Sequence, residues 1–386
     1  MRKQSKNNDL KNDLYFLFCD GEELGTFGSK AFVKSHPELK TLIDLVINVD
    51  GRGNRGGLLM FETSNYNYDL MHYFKSAVSH PIAFSFTADL YHKMPNVTDL
   101  TRFLDAGYSG LNFTVTEGVE NYGAMSDNYE NFNSKTAYNY LKIVQEIVDY
   151  GAKEQFQGNN SKEEGIYFPF LPGNLILMSN NVAYFLAVCA IFSALIWLVL
   201  QIKNENIQPR QILIGMARLI GTIFIMAVLS WGITTLAKNT FNLTETSNTK
   251  ILFIVQTIIF SVGSLFIFIL RMRNQSIVEA IADLLPLQLI LIIGTTIFFN
   301  SMSYLFTLTT LGLLFVLLLG KLNTARLIGS TIIGIGILLL YVPICWLLYV
   351  SLMLPIIPVV TALSVLPISI IVAFFTTKHV EEKFSD

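Results

Sequence analysis

Three carboxylates fall within four residues in the stretch Asp20-Gly21-Glu22-Glu23. Like charges that close repel one another, and a proton, a cation or bulk water must offset them. Two readings stand. The stretch is either a metal or acid–base site, or a solvated acidic turn. A further carboxylate, Asp50, ends another apolar run at residues 45–49. Other candidate groups are weaker. Residues 51–57 are glycine-rich and basic but lack the Lys-Ser/Thr of a phosphate loop. His36 and His80 each precede a proline, His72 lies on an expected helix, and His92 stands beside Lys93. Ser29 has no paired histidine nearby in sequence. Asn242-Leu243-Thr244 fits a glycosylation acceptor, which matters only in a eukaryote.

Several elements are expected to position these acids. Residues 14–19 form an apolar run ahead of Asp20 and are expected as a strand. A glycine turn and a helix over 28–35 follow, stopped by His36-Pro37. Further strands are expected at 45–50, 57–63 and 111–115, and helices at 69–79 and 134–150. Strands alternating with helices predict an α/β layer fold, and ligands in such folds gather at the carboxyl ends of strands.

Composition then changes. The chain of 386 residues is 52% hydrophobic and only 15% charged, too apolar for a soluble protein alone. A net charge of −2 gives no sign of a nucleic-acid partner. Three distant cysteines suggest no disulfide framework. Residues 1–150 read as a globular domain and 151–174 as a linker. Residues 175–376 read as about seven spans: 175–200, 212–236, 251–270, 284–299, 304–319, 327–350 and 354–375. The fourth and fifth are short and closely joined, either a tight hairpin or a re-entrant pair. Glu279 and Asp283 are expected just before the fourth span, and Pro343, Pro355, Pro358 and Pro367 are expected to kink the last two. Loop lysines and arginines divide eight against two, which places the tail, 377–386, in the cytoplasm and the N-terminal domain on the other side. No signal peptide is expected from the polar first residues.

The N-terminal residues resemble a known family. The stretch Phe16-Leu17-Phe18-Cys19-Asp20-Gly21-Glu22-Glu23-Leu24-Gly25 is similar to the core motif of the M28 zinc aminopeptidases. Asn48-Val49-Asp50-Gly51-Arg52-Gly53, Met60-Phe61-Glu62-Thr63, Pro95-Asn96-Val97-Thr98-Asp99 and Gly110-Leu111-Asn112-Phe113 resemble its membrane-anchored, vacuolar membrane protease-like branch. The resemblance implies an M28 aminopeptidase-like mixed sheet with flanking helices, followed by an all-α multi-span region. It implies two zinc ions bridged by an Asp and held by two His, a Glu and one more acid. Carried onto this chain, Glu22 is the general base, Glu23 a zinc ligand and Asp50 the acidic ligand of the other zinc. The implied substrate is a peptide. The implied setting is the bilayer of a bacterial plasma membrane or a fungal vacuole.

The chain also departs from that pattern. No histidine lies among the 19 residues before Asp20, where the first His and the bridging Asp are expected. Gly123 stands where the last His is expected. The expectation is therefore an incomplete M28 domain lacking its N-terminal part, inactive as this chain, with the product of an upstream split reading frame as a partner. The alternative is a non-catalytic membrane protein that binds peptides or a partner.

Overall fold

The computed structural model describes residues 11–245, 247–319 and 323–375. They form two compact units that divide between Ala183 and Tyr184.

Unit 1 is built on a small mixed sheet. Its strands are β1 (Val46–Val49), β2 (Leu59–Thr63) and β3 (Gly110–Thr114). The order is β1-β3-β2, with β3 parallel to β1 and antiparallel to β2. Every residue of β3 is buried, as a central strand covered on both faces requires. Five helices surround it: α1 (Phe27–Ser35), α2 (Tyr68–Ala77), α3 (Ser85–Lys93), α4 (Asp99–Asp105) and α5 (Ser134–Gly151). Local chemistry sets their ends. His36, forced out of helical geometry by Pro37, closes α1. Thr98 and Thr101 form a capping box on α4. Asn133 accepts hydrogen bonds from the amides of Lys135 and Thr136 to open α5. The core joins Met60, Leu70, Phe74, Leu111, Phe113 and Ile147. Helices α3 and α4 occupy residues for which sequence patterning made no assignment.

Two segments of unit 1 depart from expectation. Residues 14–19 form no strand. Tyr15 and Phe18 are exposed, Phe18 at 91%. An apolar run favours burial, yet a strand also needs a neighbour to pair its backbone groups, and β1 pairs with β3 alone. The expected linker is also structured in its second half. There β4 (Gly165–Leu171) and β5 (Asn174–Ser179) make an antiparallel hairpin through a turn at Gly173, whose φ is +77°. Tyr167 and Leu175 of the hairpin are fully buried in the same core as Phe74 and Phe113.

Unit 2 is helical: α6 (Asn180–Lys203), α7 (Pro209–Thr240), α8 (Lys250–Met272), α9 (Ile277–Phe298), α10 (Ser303–Leu318), α11 (Asn323–Leu352) and α12 (Ile357–Phe374). With the turns that lead into α10 and α12, all seven are long and apolar enough to cross a membrane. The chain is an integral membrane protein. Its outward side chains, such as Phe192, Ile196, Phe224 and Trp231, are exposed and apolar, as contact with hydrocarbon requires. Helix α12 packs against α7, α8, α9 and α11. At its Thr361, a polar group ties three helices together. Ser230 Oγ donates to Gln256 Oε1 at 2.7 Å and lies 3.1 Å from Thr361 Oγ1. Gln256 Nε2 donates to Thr234 Oγ1 at 3.1 Å. Such hydrogen bonds fix helix contacts where lipid offers no competing partner.

Three details of the spans differ from the sequence reading. Helix α9 starts at Ile277, so Glu279 and Asp283 lie inside it. Glu279 completes a capping box with Ser276, which extends the helix backwards past the apolar run. Pro355 and Pro358 sit in the turn and first residues that open α12, where proline fits, while Pro343 and Pro367 are interior to their helices. The fourth and fifth spans are a helical pair joined through a 3-10 turn, Asn300–Met302. Lys321 and the tail, 377–386, lie outside the described residues.

If the hairpin is part of the unit 1 core, Leu175→Ala should cost about 2–5 kcal/mol, the usual range for a buried leucine. Limited proteolysis of unit 1 in a denaturant series, on the full chain in detergent, reads this directly. A segment acting as a loose tether would show no change.

Candidate functional site

The acidic stretch forms a closed turn. The amides of Gly25 and Thr26 donate to the Glu22 carbonyl, and the amide of Gly28 donates to the Asp20 carbonyl at 2.9 Å. Gly21 has a φ of +70°, a conformation that glycine adopts freely. Gly28 is needed for a different reason. A Cβ there would stand 2.7 Å from both the amide nitrogen and the carbonyl oxygen of Asp20. The turn therefore closes only with glycine at 28. The Asp20 side chain folds back onto the amide of Gly21 at 2.8 Å, away from the other two acids' role.

The turn brings Glu22 and Glu23 into the field of Asp50, at the end of β1, and of Asp99, in the first turn of α4. Burial pushes the Glu22 carboxyl above the ordinary carboxylate range, and repulsion from Asp50, Glu23 and Asp99 adds to it. Burial also raises Asp50, with Asp99 and Glu23 pushing the same way against a hydrogen bond from the Gly51 amide. Glu23 is exposed and accepts a hydrogen bond from Tyr122 Oη at 2.6 Å. That bond holds the Tyr122 hydroxyl up at about 12, so it remains a donor.

Sequence reasoning grouped Glu22, Glu23 and Asp50, and in the structure these three lie within electrostatic reach of one another. It missed Asp99, although Thr98-Asp99 followed by a helix is a recognisable start signal. It also missed Tyr122 and the polar layer beneath the acids. There Glu62 on β2 is 1% exposed. It accepts hydrogen bonds from Asn112 Nδ2 at 2.7 Å, Thr98 Oγ1 at 3.1 Å and Thr101 Oγ1 at 3.3 Å. Asn112 Oδ1 accepts in turn from Asn48 Nδ2 at 2.9 Å, which links all three strands.

The two zinc ions implied by the resemblance find a poor fit. Among the described residues, no group of three or more His, Cys, Asp or Glu side chains is arranged to hold a metal ion. Gly123 has a φ of +66° and open space around its Cα. The histidines have other neighbours: His36 pairs with Glu38, His72 with Tyr68, and His80 with Ser79. His92 is exposed and acts on Glu62. A catalytic zinc has about three ligands from protein.

Comparison with known proteins agrees with the fold. The family model described as Peptidase family M28 matches residues 1–148. The chain is 27% identical over 167 residues to a vacuolar membrane protease of Candida albicans, which covers 43% of this chain and 19% of that protein. It is 24% identical over 204 residues to the putative endoplasmic reticulum metallopeptidase 1-A of Caenorhabditis elegans, covering 51% and 23%. A vacuolar membrane protease of Yarrowia lipolytica is 25% identical over 223 residues, covering 55% and 21%. The matches span about a fifth of the length of these curated relatives. No solved structure matches the chain.

Glu62 provides a pH test of the polar layer. Burial raises its pKa, against hydrogen bonds from Asn112 and Thr98 and the attraction of His92. An acid with a raised folded-state pKa lends stability that is full below its unfolded pKa and is lost as pH rises through the folded one. Glu62→Gln should therefore match the parent at about pH 4 and be the more stable protein at about pH 8. Hydrogen exchange of the β2 amides measures the difference.

Proposed function

We propose, from an N-terminal region that matches Peptidase family M28 and is followed by seven span-length helices, that this chain is a membrane-bound, peptidase-like protein with little or no hydrolytic activity of its own. The observation that carries this is the donor set: among the described residues, no group of three or more His, Cys, Asp or Glu side chains is arranged to hold a metal ion. When bound in such a site, zinc lowers the pKa of a water and polarises a scissile carbonyl. Carried over from the family, Glu22 would be the base that takes the proton, and Glu23 and Asp50 would be two of the ligands. Glu23 already accepts the Tyr122 hydroxyl. The basic loop residues support an arrangement with unit 1 on the extracytoplasmic side, and a peptide is the substrate class the relatives' names support.

A non-catalytic reading has its own observation. The loop carrying Tyr122 also exposes Met125 and Tyr129, at 100% and 92%. Through Tyr122 this loop touches the acids. An exposed apolar surface beside a negative cluster suits an extended peptide with a cationic end.

Two measurements on the purified full chain separate these readings from an active peptidase. Equilibration with zinc followed by elemental analysis should give fewer than two tightly bound ions per chain. Hydrolysis of leucyl-p-nitroanilide should stay at background and be unaffected by Glu22→Gln. Two bound zincs together with turnover that Glu22→Gln abolishes would overturn the proposal. Zinc binding restored only by adding a second polypeptide would identify a partner that supplies the remaining ligands.

A further inference from the structure

The charges inside unit 2 play no part in a peptidase site. Asp283 is 4% exposed, in the second turn of α9. Arg271, in the last turn of α8, donates from Nη2 to Asp283 Oδ2 at 2.9 Å and to the Gly215 carbonyl of α7 at 2.9 Å. Gln275 Nε2 adds a second donor to Asp283 at 3.0 Å. The seat for the carboxylate is built into the helix contact, because a Cβ on Gly215 would come within 1.9 Å of Asp283 Oδ1. A buried charge pair of this kind holds helices together only when its remaining polar atoms also find partners.

Among the described residues they do not find them. Arg271 Nε and Nη1 are buried with no acceptor, and Gln275 Oε1 is buried with no donor. Arg218 lies one turn along α7 from Gly215, is exposed, and acts electrostatically on both Arg271 and Asp283. Two guanidinium groups thus face one carboxylate, which leaves one positive charge in excess. Arg210, at the start of α7, and Arg273, just after α8, stand at the same ends of these helices. The surface around Arg218 belongs to lipid, since Leu213, Ile214 and Ile220 of the same helix are exposed and apolar. Helix α7 has 32 residues. That is about 48 Å of helix against a hydrocarbon core of about 30 Å, so its first turns reach headgroup depth.

We propose that α7, α8 and α9 form a phosphate-binding site at Arg218 and Arg271, occupied by the headgroup of an anionic lipid. A phosphate supplies acceptors for guanidinium donors and cancels the excess charge, as in basic pockets between spans that hold anionic headgroups. The Asp283 carboxylate keeps Arg271 fixed in place.

The test uses the full chain in neutral detergent. All three tryptophans, Trp197, Trp231 and Trp346, lie in the spans, so their fluorescence reports melting of unit 2. Phosphatidylglycerol should raise the melting temperature, phosphatidylcholine should not, and native mass spectrometry should find the anionic lipid retained. Arg218→Gln leaves the Arg271–Asp283 pair intact and should weaken the phosphatidylglycerol effect about fivefold, the worth of one arginine near an anionic surface. Inorganic phosphate that reproduces the shift would keep the site but assign it to a free ion. No shift with either phosphate source, or a lipid effect undiminished in Arg218→Gln, would overturn the proposal.

Discussion

The hydrogen bonds of Glu62 connect the elements that present acids in unit 1. Through Thr98 and Thr101 this one buried carboxylate fixes the start of α4, and so the position of Asp99. Through Asn112 and Asn48 it reaches across the sheet to β1, which ends on Asp50. Helix α4 then carries the link onward, because Arg102 Nε donates to Thr26 Oγ1 at the close of the acidic turn. A buried carboxylate is costly unless its lone pairs are satisfied, and a satisfied one holds its donors in a single arrangement. The acids above it repel one another, so this layer beneath is what keeps them in register.

Unit 2 follows the same logic with fewer groups. Hydrophobic burial gives little reason for one apolar helix to choose another in lipid. Polar contacts supply the choice. The Ser230, Thr234, Gln256 and Thr361 group joins α7, α8 and α12. The Arg271–Asp283 pair joins α8 and α9 against the backbone of α7. The second leaves buried Arg271 donors without acceptors among the described residues.

The comparisons and the geometry bear on different questions. Identities of 24–27% over about a fifth of each relative support an M28-like domain and a membrane-bound setting. Whether the site works depends on side chains, and there the geometry shows Glu22 and Asp50 with raised pKa values and Glu23 bonded to Tyr122. The clustered acids attract a cationic chain end whether or not the site hydrolyses peptides.

The sequence by itself determined the features that are local. Seven apolar runs needed no partner to be recognised, because length and hydropathy alone decide what fits a bilayer. The acidic turn was legible for the same reason, with its glycines and three carboxylates in one short stretch. Tertiary structure decided everything that depends on a distant neighbour. Residues 14–19 carry the composition of a strand but lack a strand to pair with. The hairpin at 165–179 looked like a tether because its apolar side chains show their purpose only against Phe74 and Phe113. Asp99 joined the acids, and Asp283 met Arg271, through contacts that no spacing records. Periodicity and composition are properties of a segment, while burial, repulsion and pairing are properties of what the fold places beside it.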